Sequence, residues 1–263
     1  MERYLWNLVA LTFIIHLIDT LSYSVRLSAV KSGQFALSTS LFNVFVLISR
    51  TANMLQGPLI GGLIGVSIVM GVDPVNEISK VIFASTGGTL AAIILIPTFL
   101  KVFHAAVARL ESTGSLPLLV IQGLSINNIK LIAKKSILPS KQTFESIRWH
   151  DIPKRLLIFN TLLTAIYTVG VLAAFYSATL VAPEYQLAAS SSSGMINGVA
   201  TILLTLVVDP KAAIITDQAF RGGRPYSDVK TLVVLLIGTK LLGTLLGQII
   251  LTPAANLIAH FYQ

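Results

Sequence analysis

The chain contains no cysteine among its 263 residues, and only 11% of its residues are charged. The absence of cysteine excludes disulfides, thiolate nucleophiles and cysteine-ligated metals. Soluble domains carry about 25% charged residues, so a chain with 54% hydrophobic residues and so few charges is poorly suited to water. The four histidines are scattered, and with the carboxylates they show none of the spacings typical of a zinc site. Lipid is therefore the expected solvent.

Long apolar runs recur along the whole sequence. A helix needs about 20 apolar residues to cross a hydrocarbon core of about 30 Å. Six runs qualify, at 4–25, 35–71, 80–100, 156–181, 187–208 and 231–251. The sequence therefore predicts an all-α, polytopic membrane protein with about six transmembrane helices. The second run is longer than one straight span requires and contains Gly57-Pro58, so we expect a kinked or broken helix there.

Basic residues are distributed unevenly between the connections. Of the 19 Lys and Arg residues, 15 lie in the first, third and fifth connections. Cytoplasmic loops are normally the ones enriched in Lys and Arg, so we expect a multi-pass plasma-membrane protein with both termini outside the cytoplasm. Residues 116–138 of the third connection have the spacing of a helix in the headgroup plane, and the alternative is a cytoplasmic loop whose basic residues only set the topology. The net charge of +8 follows from this topology and from contact with anionic lipid, so no nucleic-acid partner is expected.

Two halves flank the basic third connection and share short strings in the same order. The strings DP, GTL and IILxP occur at 73–74, 88–90 and 93–97 in the first half and at 209–210, 243–245 and 249–253 in the second. Because each half has three spans, an odd number, two copies would have opposite orientations, as in the inverted repeats of many secondary transporters. We therefore divide the chain into membrane halves at 1–103 and 154–263, joined by a basic cytoplasmic or interfacial connection at 104–153.

Four ionisable side chains lie within the apolar runs, where a charge costs about 2.5–3.5 kcal/mol on insertion scales. They are His16, Asp19, Arg50 and Lys240. Basic residues outnumber acids here, which favours a cavity that binds a phosphate or another anion, and Arg50 suits this role because its guanidinium binds phosphate through two hydrogen bonds. We expect His16 and Asp19 either to couple an ion or proton or to make structural contacts. These contacts would be a hydrogen bond from His16 to a neighbouring helix and an ion pair between Asp19 and Arg50.

A second group of charged residues lies between the fifth and sixth runs. It comprises Asp209, Asp217, Arg221 and Arg224, together with Asp228. At the predicted cytoplasmic mouth these residues are a candidate gate or a rim that contacts lipid headgroups. A solvated charged loop is the alternative interpretation.

The strings at 16–26 (HLIDTLSYSVR) and 47–53 (LISRTAN) resemble the Amj-type alternate lipid II flippases of bacteria, and the likeness extends over the whole chain. The resemblance implies a protein that moves lipid II, the undecaprenyl-pyrophosphate-linked peptidoglycan precursor, from the cytoplasmic to the outer leaflet. Its partners would then be lipid II and membrane lipid. Arg50 and Lys240, with Arg26 at the entrance, would hold the pyrophosphate in a cavity that opens sideways to lipid.

Other classes of function stay open at this point. An intramembrane polyprenyl-pyrophosphate phosphatase would need clustered carboxylates, a histidine base or a metal, whereas the apolar runs offer one Asp and one His. A transporter of small solutes or of other polyprenyl lipids would fit the inverted repeat equally well. An assembly scaffold would leave the intramembrane charges unexplained. No GxxxxGK[ST] string occurs, so ATP hydrolysis is not expected, and the sequence indicates no cofactor and no metal.

Overall fold

The structure is a computed structural model that describes residues 1–114 and 152–263. Six helical stretches within these residues are long and apolar enough to cross a membrane, which confirms the predicted number of spans. Five are single helices: α1 (Glu2–Ser32), α2 (Phe35–Met70), α3 (Val75–Thr113), α4 (Lys154–Ser177) and α7 (Tyr226–Phe261). The remaining stretch consists of α5 (Gln186–Leu203), a π-helical turn (Leu204–Val208) and α6 (Asp209–Phe220). The helix predicted within 116–138 lies outside the described residues.

Glycine and proline set the ends of several helices. The first three helices end at glycines with positive φ, Gly33, Gly71 and Gly114. This left-handed conformation satisfies the last helical carbonyls and is unfavourable for residues with a Cβ. The helices α3, α4 and α7 begin directly after Pro74, Pro153 and Pro225, where the missing proline N–H removes no helical bond. Glycine and proline residues between the apolar runs thus set the boundaries of these helices.

The second helix is continuous, so the break considered at Gly57-Pro58 does not occur, while a kink there stays a prediction. It runs from Phe35 to Met70 with Pro58 inside it. Proline removes one helical hydrogen bond, whereas a break inside lipid would leave several backbone groups unpaired, each at several kcal/mol. The single lost bond is the smaller penalty, so the helix continues through the proline.

The two halves are packed in the same way. In each half the first helix lies against both other helical stretches, which pack little against one another: α1 contacts α2 and α3, and α4 contacts α5 and α7. The first and third helices of each half meet closely at a glycine. A Cβ added to Gly88 would collide with the carbonyl oxygen of Phe13, and one added to Gly243 would lie 2.7 Å from the carbonyl oxygen of Thr161. These two glycines belong to the paired GTL strings.

The two Asp-Pro pairs lie at opposite ends of the bundle. Tyr176, near the carboxyl end of α4, donates a hydrogen bond to Asp73 (3.4 Å), whereas Asp209 pairs with Arg26 near the carboxyl end of α1. The amino end of α1 shares an apolar cluster with the carboxyl ends of α4 and α7, so α1 is antiparallel to both and the two chain termini lie at one end. This arrangement is what an inverted repeat requires, and the repeat itself stays a prediction.

Candidate functional site

A polar cavity of about 100 Å³ lies inside the helix bundle. Residues of α1, α2, α4, α5, α6 and α7 line it, together with the π-helical turn. Its titratable side chains are His16, Asp19, Tyr23, Arg26, Arg50, Tyr167, Asp209 and Lys240. The four intramembrane charges singled out from the sequence, which come from three different helices, therefore surround one space.

The first helix contributes a polar stripe to this cavity. His16, Asp19, Tyr23 and Arg26 are spaced three, four and three residues apart, which places them on one face of α1. At 1.5 Å per residue the stripe extends over about 15 Å, about half of the hydrocarbon thickness. A polar surface thus follows α1 from the middle of the bundle to one end.

Lys240 is buried and is paired with a carboxylate from another helix. Its Nζ lies 3.9 Å from Asp19 Oδ2 and 5.6 Å from the centre of the Tyr23 ring. The exposed fraction is 6% for the Lys240 side chain and 23% for that of Asp19. Asp19 thus pairs with Lys240 and not with Arg50, the partner considered from the sequence. The ion pair joins α1 to α7 across the cavity wall.

His16 lies beside this ion pair and is almost completely buried. Only 3% of the residue is exposed, and its Nδ1 atom has no hydrogen-bond partner among the described residues. The hydrogen bond to a neighbouring helix that the sequence suggested is therefore not made by this atom.

A second ion pair closes the cavity toward the end where α1 finishes. Arg26 Nη2 lies 3.2 Å from Asp209 Oδ1, and the guanidinium lies 5.5 Å from the centre of the Tyr23 ring and 5.8 Å from that of Phe42. Beyond this pair is a mostly apolar cleft of about 250 Å³ that shares Arg26, Phe42 and Asp209 with the polar cavity. The pair therefore lies where the cavity and the cleft adjoin.

Arg50 differs from the other two cations of the cavity because no carboxylate within the described ranges pairs with it. Its side chain is exposed, and its Nη1 donates one long hydrogen bond to Thr201 Oγ1 (3.5 Å). That bond joins α2 to α5, two helices that otherwise pack little against each other. Arg50 is consequently available to an anionic ligand without the loss of an ion pair.

The helical stretch opposite Arg50 is irregular. The π-helical turn Leu204–Val208 directly precedes Asp209-Pro210. Proline cannot donate the helical hydrogen bond and its ring crowds the preceding turn, so a widened turn relieves the contact. Such turns are frequent at functional sites, and here Leu204 and Asp209 both line the cavity. In the sequence, Asp209-Pro210 stood out as one of the shared strings and Asp209 as a candidate gate residue, but neither feature predicts this change of helix geometry.

The other candidate gate residues lie apart from the cavity. Asp217 and Arg221 form an ion pair of 2.9 Å one helical turn apart, on the exposed end of α6. Arg224 lies 3.5 Å from Asp228. Of the five residues considered as a gate or rim, Asp209 is the one that lines the polar cavity, and a gating role for the other four stays a prediction.

Neutral polar side chains complete the site, and the charged residues that stood out in the sequence did not indicate them. Tyr23 donates a hydrogen bond to Asn160 (3.0 Å), and Asn53 donates one to Tyr167 (3.1 Å). These bonds connect α1 and α2 to α4. Asn160, Thr164 and Tyr167 are spaced four and three residues apart on α4, which repeats the spacing of the α1 stripe. That spacing was the signal available in the sequence.

A family profile and a similar protein of known name both point to the same family. A family profile described as "Amj: Alternate to MurJ" matches residues 11–262. The chain is 40% identical over 248 residues to a protein of Bacillus subtilis (strain 168) named "Lipid II flippase Amj", and the match covers 94% of this chain and 92% of that relative. No solved structure shows a significant match.

Proposed function

The chain belongs to the Amj family, and we propose that it moves lipid II from the cytoplasmic to the outer leaflet of the bacterial plasma membrane. Its Bacillus subtilis relative is named for that substrate, and its six apolar helical stretches make it a multi-pass membrane protein. Its function is transport and not catalysis. The substrate presents a physical problem that the cavity suits, because a polyprenyl tail is soluble in lipid while a pyrophosphate and a sugar-peptide head are not.

The observation that carries this proposal is the position of Arg50. It is a cation in the middle of α2, at the rim of a polar cavity, and it makes no ion pair within the described ranges. A guanidinium without a carboxylate is stable in the membrane when water or an anion reaches it. Because its planar donors match phosphate oxygens, Arg50 is the residue that binds the pyrophosphate in our proposal, and Lys240 and Arg26 join it as their own partners are displaced.

The lateral opening lies between α2 and α5. These helices are held together near the cavity by the Arg50 to Thr201 hydrogen bond and by little other packing. Their outer surfaces are apolar and exposed, with Met54 and Leu55 on α2 and Met195 and Val199 on α5. A headgroup can therefore enter between the two helices while its tail stays in the surrounding lipid, which requires breaking one long hydrogen bond.

The cytoplasmic closure in this proposal is the ion pair between Arg26 and Asp209. It lies at the end of the bundle opposite the termini, and this end is cytoplasmic if both termini face outward. A pyrophosphate that binds Arg26 competes with Asp209 and so loosens the closure as it enters. Two inverted halves, 1–103 and 154–263, would supply a matching closure on the outer side.

The orientation can be tested in intact cells because the chain has no cysteine of its own. Single cysteines at Glu2, Ser140 and Gln263 are treated with a membrane-impermeant thiol reagent. We expect labelling at both terminal positions and none at Ser140, which lies in the connection outside the described residues. Labelling of Ser140→Cys alone would reverse the topology and place the Arg26 to Asp209 pair on the outer side.

Transport itself is tested with purified protein in liposomes that contain a fluorescent polyprenyl-pyrophosphate-linked sugar. An impermeant quencher added outside measures the fraction of the lipid in each leaflet. We expect the protein to make the inner pool accessible, and to leave an equally labelled zwitterionic phospholipid in place. Equal movement of both lipids would indicate a nonselective scramblase. Hydrolysis of the probe to a polyprenyl phosphate and a sugar phosphate would indicate that the protein cleaves the pyrophosphate, as in the enzyme alternative.

A further inference from the structure

We infer that the cavity takes up one proton with each pyrophosphate lipid, and that the carboxylate of Asp19 accepts it. The inference rests on the proposed function and adds its coupling ion. In the empty cavity Asp19 is paired with Lys240. In the loaded cavity a neutral Asp19 leaves Lys240 free to bind the pyrophosphate.

The charges of the cavity lining and of the pyrophosphate do not balance without one added proton. The described cavity lining contains three basic side chains, Arg26, Arg50 and Lys240, and two acidic ones, Asp19 and Asp209. With a neutral His16 the lining therefore has one net positive charge, whereas a pyrophosphate diester has two negative charges. Loading would leave one uncompensated negative charge inside the bundle, and such a charge is strongly unfavourable away from water. One added proton removes it.

The geometry of the ion pair between Asp19 and Lys240 favours Asp19 as the proton acceptor. Lys240 is 6% exposed and Asp19 is 23% exposed, and their charged atoms are 3.9 Å apart. Lys240 is therefore held by Asp19 alone, without a close second carboxylate in the described ranges, while Asp19 is open to the cavity and to the water that brings a proton. Protonation of Asp19 weakens the attraction between the two groups at the same moment as the phosphate offers Lys240 a stronger partner.

The titratable and charged groups that face Asp19 come from several helices. They are His16, Tyr23 and Arg26 on α1, Arg50 on α2, Tyr167 on α4, Asp209 on α6 and Lys240 on α7. His16 is a poorer acceptor than Asp19, because it is 3% exposed and its protonation would place a second cation near Lys240. Asp209 is also a poorer acceptor, because it lies 3.2 Å from Arg26 and is held more closely by its partner than Asp19, which lies 3.9 Å from Lys240.

The experiment measures binding and proton uptake together. Purified protein in weakly buffered detergent is titrated with a short-chain polyprenyl-pyrophosphate-linked sugar, whose two phosphate groups stay ionised near neutral pH. A pH indicator reports the protons taken up. We expect about one proton per bound lipid, and an affinity that falls about tenfold for each unit of rising pH while that proton is taken up.

Two variants assign the proton. Asp19→Asn should bind the probe without proton uptake, with an affinity that no longer depends on pH and exceeds that of the unchanged protein at high pH. His16→Gln should keep the uptake. Size-exclusion chromatography checks that both variants are folded, and if Asp19→Asn is not, the stoichiometry of the unchanged protein still decides whether a proton is taken up.

The outcomes separate the inference from the function on which it rests. Absence of binding at every pH would contradict the proposed function. Binding without proton uptake, or binding that depends on sodium and not on pH, would overturn proton coupling and leave the function intact. Uptake that persists in Asp19→Asn and disappears in His16→Gln would overturn the assignment to Asp19.

Discussion

The walls of the polar cavity on its two sides are held together by very different interactions. On one side, α1 and α7 are joined by a buried ion pair between Asp19 and Lys240. On the other side, α2 and α5 meet through a hydrogen bond of 3.5 Å from an exposed Arg50 to Thr201. The first wall would lose a buried charge pair if it opened, whereas the second would lose one weak contact.

This difference explains how one bundle can be stable in lipid and still admit a substrate, as we propose. Close glycine contacts within each half and the buried pair fix α1, α3, α4 and α7 relative to one another. The second and fifth stretches lie at the periphery, each packed mainly on the first helix of its own half. The variants below are ordered by decreasing expected effect on folding. They begin with the closely packed helices α4 and α7 and end with α2 and α5, which are joined weakly.

Gly243→Ala should have the largest effect on folding. The added Cβ would lie 2.7 Å from the carbonyl oxygen of Thr161 and from Cβ of Thr164, so α4 and α7 would have to move apart, and overpacking of this kind costs about 1–3 kcal/mol. Gly238→Ala in the same helix is the matched control, since nothing lies within 4 Å of its added Cβ. Membrane abundance and thermal unfolding are the measurements. Equal stability of the two variants would show that the close contact is unimportant.

Lys240→Met should come next, because it leaves Asp19 without its partner. Removal of one member of a fully buried ion pair costs about 3–5 kcal/mol and of an exposed pair about 0–1 kcal/mol. Asp19 is 23% exposed and lies 3.9 Å from Lys240, so water can partly replace its partner and we expect a cost of about 1–2 kcal/mol, less than the upper end for Gly243→Ala. The double change Asp19→Asn with Lys240→Met should recover much of the thermal stability and still fail to flip lipid. If the double variant transports normally, Lys240 has no part in substrate binding.

Covalent linkage of α2 to the π-helical turn that follows α5 should leave the fold intact and stop transport. Val46 on α2 and Leu204 in the π-helical turn both line the cavity, so cysteines at these positions can be bridged by a short bifunctional thiol reagent. We expect flipping in liposomes to fall by about tenfold or more after bridging, a barrier increase of about 1.4 kcal/mol, and each single-cysteine variant to be unaffected by the reagent. Full activity of the bridged protein would place the lateral opening elsewhere.

Much of the fold could be predicted from the sequence because each membrane-spanning helix needs about 20 apolar residues. Six apolar runs became six spans, and the scattered intramembrane charges became one cavity lining, since each is tolerable in lipid only beside other polar groups. Partners were harder to predict. Asp19 could pair with any basic residue at its depth, and the choice of Lys240 over Arg50 depends on how α1 is rotated relative to its neighbours, which a single sequence does not specify.

Local backbone shape was also hard to predict, and the reason differs between two prolines. Pro58 leaves α2 continuous, whereas the turn before Pro210 becomes π-helical. The residue type is the same in both places, so the outcome depends on the surrounding packing. Glycines gave the more dependable signal, because the paired GTL strings at 88–90 and 243–245 both mark close helix contacts.

The most direct test of the account is lipid flipping by variants of Arg50, with membrane abundance measured alongside. Arg50→Ala should retain normal abundance, since this side chain stabilises the protein through one long hydrogen bond, and should lose flipping if Arg50 binds the pyrophosphate as we propose. Arg50→Lys should keep part of the activity through its charge, and Arg50→Glu should be less active than Arg50→Ala because it repels the substrate. Arg3→Ala, a matched loss of charge near the amino terminus, should be fully active. Normal flipping by Arg50→Ala at normal abundance would contradict the claim that Arg50 binds the pyrophosphate.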